Sequence, residues 1–308
     1  MQLGLMLDPA GDPAGTPGEA RIAEQLGFDF VACGEHVFFH GPVSNAFVGL
    51  SAAAAVTDRV RLVSALTVLP LYPAGLVAKM ASSLDRLSGG RYTLGVGVGG
   101  EYPAEFAACG APVARRGAKA DESLIALRGL LGGQAVTLNG EFAQLDGLTL
   151  QPPPVQRPVP IWVGGRKPAA LRRAGRFGDA WLPYMVTPQM LARGLDSVQG
   201  FAADCGRPAG AVSGAVFLWG SVNASADVAR RQAIGTVSQT YQQDFAPLAG
   251  KYLLAGDPAA VAARLAAYAD AGAASAVFAP ACAPAERAAV VRLFAEEVLP
   301  QLRPVPGA

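Results

Sequence analysis

Alternation is the feature that most restricts this chain: apolar runs of strand length recur eight times, each followed by a longer segment of helical spacing. Repeated β-α units of this kind assemble a parallel sheet covered by helices, and eight of them close a barrel. The strand candidates are residues 3–7, 30–33, 60–66, 92–98, 161–163, 180–182, 215–219 and 275–278. Hydrophobic residues make up 51% of the 308, many of them alanine, which lets helices pack close to a buried sheet. The expected fold is an α/β (β/α)8 TIM barrel forming a single domain over 1–308.

End signals sharpen the helices. Asp257 can cap a helix over 258–271, with Pro258 in its first turn and Gly272 at its stop. Similar spacing predicts helices over 74–87 and 284–299, whereas 238–255 keeps no clean period and is expected to be irregular loop or helix. Before the fifth strand, an insertion at about 133–158 reads as a short hairpin turning at Asn139-Gly140. A stiff proline-rich connector over 152–160 then leads into the strand.

Charges nearly cancel, at a formal +1 with 16% charged residues, so no long-range field draws the chain to nucleic acid or an anionic membrane. A small-molecule partner is expected instead. Cys33, Cys109, Cys205 and Cys282 are scattered without a CxxC pair, which argues against a zinc site or a disulfide framework. The opening MQLGLMLDPAGD lacks a basic leader segment and reads as a first strand. No run approaches the roughly 18 apolar residues of a membrane span, and the expected location is cytoplasmic.

Barrels of this type carry their chemistry at the C-terminal ends of the strands. By position, strand one offers Asp8, strand two Glu35 and His36, strand three Ser64 to Thr67, and strand four Gly97 to Tyr102, including Gly99 and Glu101. Strand five offers Gly164, Gly165, Arg166 and Lys167, strand six Tyr184 and Met185, and strand seven Trp219 and Ser221. Gly164 and Gly165 lie between a strand and a helix starting near Pro168, so their amides and the cations after them suit a phosphate. The competing reading is a tight β-α turn that needs glycine for its dihedrals. Gly95, Gly97 and Gly100 have GxGxxG spacing, but Gly95 falls inside the strand and Glu-Tyr-Pro follows, so no helix end stands where a pyrophosphate would need it. They read as a rim against which a flat ring can lie.

His36, one of two histidines, is placed either to exchange a proton or contact a ring, or simply to be held at the rim by hydrogen bonds. Phe38, Phe39, Phe47, Tyr72, Tyr102, Tyr184 and Trp219 can build an apolar chamber, with His40 lining it. No GxSxG, HExxH or Ser-His-Asp spacing supports a hydrolase. Amides, rings and one histidine suit an enzyme whose cofactor does the redox work.

Four segments carry a resemblance: AEQLGFDFVACGEH, TVLPLYPAGLVAKMASSLDRLSGGRYTLGVGVG, PVPIWVGGRKPAALRRAGRFGDAWLP and YLLAGDPAAVAARLAAYADAG. In this order, over nearly the whole chain, they resemble the luciferase-like monooxygenase family. The resemblance implies a (β/α)8 barrel, a homodimer, and reduced FMN or the deazaflavin coenzyme F420 at the C-terminal mouth. It implies hydride exchange between F420 and an organic substrate, with an FMNH2-dependent monooxygenase using O2 as the alternative and a non-catalytic flavin-binding barrel as a second alternative. By motif it maps Gly164, Gly165 and Arg166 to the cofactor phosphate, Arg116 in RRGAKADE to a second phosphate contact, and Glu35-His36 to the catalytic pair. Ser64, Ala65 and Leu66 take the place of a bulge with a non-proline cis peptide, at Ala65–Leu66, beneath the cofactor ring; Gly97, Gly99 and Glu101 border that ring. Where the family usually has a basic residue before a proline, this chain has Tyr72 before Pro73. Phe38, Tyr102, Tyr184 and Trp219 are the expected substrate pocket, and the outer helix near Ala78 and Ala81 the expected dimer face.

Overall fold

The computed structural model describes residues 1–8 and 15–303; the Pro-Ala-Gly-Asp end of the opening run and the last five residues of the expected domain lie outside them. Eight parallel strands close on themselves: β1 (Gln2–Met6), β2 (Phe30–Cys33), β3 (Arg61–Ser64), β4 (Tyr92–Gly97), β5 (Ile161–Gly164), β6 (Ala180–Leu182), β7 (Ser213–Val222) and β8 (Ala273–Pro280), with β8 bonded back to β1. The fold is a TIM barrel. Outward residues such as Leu5, Val31, Leu62, Leu94 and Ile161 join the large core beneath the helices, while Met6, Phe30, Val63, Trp162 and Leu182 fill the interior. Phe30 meets Trp162 edge-on at 5.7 Å. Gly4 makes room for it, since a Cβ there would lie 2.0 Å from the Phe30 ring.

β3 is broken where the resemblance places a bulge. Its pairing with β4 ends at Val63, resumes at Thr67–Val68, and the peptide between Ala65 and Leu66 is cis. Leu66 projects against the next strands, which answer with glycine: a Cβ on Gly164 would lie 2.0 Å from Leu66 Cδ1, and one on Gly97 3.3 Å from it. Gly95 is more constrained still, because its Cβ would meet Ser64 O at 1.9 Å. The glycines of strands four and five are therefore set by packing under the bulge as well as by any ligand.

Asp257 caps the helix Pro258–Asp270 by accepting from Ala260 N at 2.8 Å, and the helix Ala74–Leu87 has its expected bounds. Ala78 and Ala81 on that helix are fully buried in the chain's own core, and its outer side carries the exposed Leu76 and Leu87. The expected helix 284–299 is divided into Pro284–Leu293, a π-helical turn Phe294–Val298 and a 3-10 turn Leu299–Leu302. The wider turn seats Phe294 between Phe278, at 4.1 Å, and Phe28, at 5.9 Å. Strands Val136–Asn139 and Gln144–Leu148 form the insertion hairpin, but a four-residue loop joins them rather than a tight Asn-Gly turn. Glu122 on the helix Arg116–Leu131 accepts from the amides of Glu141, Phe142 and Ala143, which supports the wider loop.

The segment 238–255 is more regular than its sequence implies. A helix Ala226–Tyr241 runs into it, a 3-10 turn Ala246–Leu248 and a short helix Ala249–Tyr252 follow, and Leu254–Gly256 pairs with Gly220–Val222 at the end of β7. Val237, Phe245 and Leu253 from this excursion pack on Met185 and Ala281, which follow β6 and β8. A second small core thus stands over one side of the barrel mouth.

Candidate active site

The floor of the mouth is Leu66, Phe217 and Trp219, partly buried on top of the interior core, with Ala65 beside them. One wall rises from the end of β2. His36 stacks on Phe39 at 4.2 Å and 17°, and His40 meets Tyr102 edge-on at 5.4 Å. His36 Nδ1 lies 3.2 Å from both oxygens of Glu105, whose side chain is fully buried in the helix Pro103–Ala108. Val37 N also donates to Glu105. A carboxylate in this position keeps the proton on Nδ1 and leaves Nε2 for exchange. Phe38 is 53% exposed at the rim, accessible to a ligand.

Glu35, adjacent in sequence, has a different environment. Its carboxyl is buried, accepting from Val68 N at 3.0 Å, Asn45 Nδ2 at 3.2 Å and Ala46 N at 3.3 Å. It joins the bulged strand to the start of the helix Ala46–Ala54. Burial pushes this carboxyl up to about 7 against the pull of the Val68 and Ala46 amides. Glu35 is thus placed as a support beneath the rim. Ser64 is similarly enclosed: its hydroxyl accepts from Gly95 N at 2.8 Å and donates to Gly95 O at 3.0 Å, bracing the bulge from below.

Across the mouth, Gly165 has φ +99°, a conformation that favours glycine, and its carbonyl accepts from Trp181 Nε1 at 2.7 Å. The helix Pro168–Phe177 begins three residues later. Arg166 donates to Met185 O at 2.8 Å and lies over the Tyr184 ring at 5.3 Å. Arg116 donates to Gly99 O and Val113 O, so it organises the β4 exit loop, where a Cβ on Gly100 would lie 2.6 Å from Arg116 Nε. Glu101 is exposed on that loop, and its charge is felt at Tyr184. Trp219 Nε1 donates to the Tyr241 hydroxyl at 3.2 Å.

The structure therefore brings His36 and Tyr102 into one cluster of rings and Arg166, Tyr184 and Trp219 into the neighbourhood of Tyr241, all in or beyond the C-terminal halves of barrel strands, with Glu35 and Ser64 buried. Sequence reading missed Glu105 and Tyr241. Glu105 is 69 residues from His36, and its only signal is an acid in the loop after strand four. Tyr241 lies in the segment whose conformation the sequence leaves undefined. Among the described residues no cluster of His, Cys, Asp and Glu could hold a metal, and no helix is long and apolar enough to cross a membrane.

Comparison with known proteins agrees with this architecture. An uncharacterized protein of Mycobacterium tuberculosis is 37% identical over 181 residues, 58% of this chain and 62% of its own length. The F420-dependent glucose-6-phosphate dehydrogenase of Beutenbergia cavernae is 37% identical over 169 residues, 52% of this chain and 49% of the relative. These matches thus span about half to three-fifths of the relatives. Among solved structures, the monooxygenase RslO1 from Streptomyces bottropensis superposes with TM-score 0.83 at 26% identity, covering 98% of this chain and 100% of that one. An F420-dependent secondary alcohol dehydrogenase shares the fold, with TM-score 0.85 at 21% identity and coverage of 98% and 99%. The profile of the luciferase-like monooxygenases matches residues 1–275, and the chain belongs to that family of flavin- or F420-dependent oxidoreductases.

Proposed function

We propose that this oxidoreductase uses coenzyme F420 and exchanges a hydride with a small organic substrate at the C-terminal barrel mouth. The observation that carries this reading is the His36–Glu105 pair, an imidazole oriented by a buried carboxylate at the C-terminal end of β2. The residues fit a deazaflavin: the apolar floor at Leu66 abuts Gly164, and the Gly164–Gly165 turn precedes a helix N-terminus and carries Arg166. When bound, F420 supplies a ring carbon that gives or takes the hydride. In this reading Gly164, Gly165, Arg166 and Arg116 hold its phosphate end, Ala65 and Leu66 support the ring, and Gly97, Gly99 and Glu101 border it. His36 Nε2 takes the hydroxyl proton of an alcohol undergoing oxidation, or returns it to a carbonyl oxygen in the reverse direction. Phe38, Tyr102, Tyr184 and Trp219 exclude water around the substrate.

Separate titrations of purified protein with F420 and FMN test this reading. F420 is expected to bind, and His36→Ala to lower turnover by about 100-fold or more with cofactor affinity retained. Glu105→Gln is expected to lower turnover by a smaller factor through misorientation of the imidazole. Tight FMN binding with no F420 binding would instead support an FMNH2-dependent monooxygenase, the reading favoured by the likeness to RslO1.

A further inference from the structure

We infer that the mouth takes an uncharged substrate with an apolar body and a single carbonyl or hydroxyl oxygen, and that Tyr241 selects it by donating a hydrogen bond to that oxygen. This rests on the reading of the mouth as the substrate site. An indole N–H can only donate, so in the Trp219–Tyr241 contact the tyrosine oxygen is the acceptor. The tyrosine's own proton is then directed elsewhere, and among the described residues the hydroxyl donates to no protein group. Burial pushes it up to about 12, so it remains a donor at neutral pH.

Placement makes that proton useful. Tyr241 ends the helix that roofs one side of the mouth, and its hydroxyl feels Tyr184, Glu101 and Arg166, which follow three different strands. The hydroxyl lies 3.2 Å from Trp219 Nε1, and Trp219 packs on the barrel interior, so it sits on the barrel side of the helix rather than on the outer surface. Its support is rigid: Trp219 bridges the barrel interior and the roof core and packs edge-on against Phe217 at 5.5 Å, while Ser221 ties the same strand to Gln232 at 2.8 Å. A substrate resting on Phe217 and Trp219 meets apolar ring surface with one polar hydrogen beside it.

Charge points the same way. Of the rim arginines, Arg166 and Arg116 hold the cofactor's phosphate end in this reading, and Arg287 is tied to Glu19 and Met6 O. A phosphorylated or carboxylated substrate would find these cations already committed, and Glu101 would repel it. A neutral ketone or secondary alcohol needs no such partner.

The test measures binding to cofactor-loaded protein by calorimetry, using cyclohexanone, methylenecyclohexane, cyclohexanecarboxylate and glucose 6-phosphate as probes. Cyclohexanone is expected to bind at least about tenfold more tightly than either anion. Tyr241→Phe is expected to weaken cyclohexanone by about 3- to 10-fold, the loss typical of one neutral hydrogen bond, while leaving methylenecyclohexane and the cofactor unchanged. Trp219→Phe retains a ring but frees the tyrosine, and is expected to weaken cyclohexanone less than Tyr241→Phe does. Equal or tighter binding of an anion, no cyclohexanone binding, or an unchanged cyclohexanone affinity in Tyr241→Phe would overturn the inference. If FMN rather than F420 loads the protein and this pattern persists, the cofactor reading fails and the role of Tyr241 stands.

Discussion

Glu35 and Glu105 lie on the same rim, but their partners give them separate roles. Glu105 faces an imidazole and has a functional reading, while Glu35 faces two amides and a side-chain N–H and has a supporting one. The support depends on pH. The folded carboxyl titrates near 7 and an unconstrained glutamate near 4.5, so between these values the native state holds more protons than the unfolded chain. The stabilisation is complete below about 4.5 and is lost as pH rises towards 7, on the order of 3 kcal/mol over that interval. Urea unfolding of wild type and Glu35→Gln at pH 5 and pH 7.5 checks this. The wild type is expected to lose stability relative to the variant at the higher pH, and parallel pH dependences would refute it. Glu35-His36 was legible as a strand-end pair, but which member faces the mouth was not, because that depends on Asn45, Val68 and Glu105 arriving from elsewhere in the chain.

At the scale of elements, the bulge after β3 accounts for the glycine pattern of its neighbours. Gly95→Ala would set a methyl 1.9 Å from the Ser64 carbonyl, a backbone atom that no rotamer change can remove. Gly97→Ala would meet the Leu66 side chain no closer than 3.3 Å, a contact that a small shift relieves. Thermal unfolding should therefore show a loss of about 3 kcal/mol or more for Gly95→Ala and under about 1 kcal/mol for Gly97→Ala. Similar losses for the two would contradict this packing account. The strand positions themselves were legible because each apolar run must be buried on both faces. The hairpin turn and the last helix were not, because Glu122 and the Phe28–Phe294–Phe278 stack override local preference.

Across the whole molecule, the barrel shields its thiols unequally. Cys33 and Cys282 are pushed up by burial to about 12 and about 11, Cys109 is also raised by burial, and Cys205 is exposed. Iodoacetamide at pH 8, followed by peptide mapping, should modify Cys205 first, because the thiolate is the reactive form. Faster modification of Cys33 would show that the barrel opens more readily than its packing implies. The four cysteines are all free, so a reducing agent should leave the melting temperature unchanged. By itself the sequence determined the number of β-α units, the closure into a barrel, and the strand ends at which functional groups emerge, since hydrophobic period and turn residues act over a few neighbours. Only the tertiary structure decided that Glu105 orients His36, that Glu35 lies beneath the rim, and that Tyr241 reaches Trp219. Those relations join residues far apart in the chain, and a hydrogen bond is set by where the packed elements bring its two atoms.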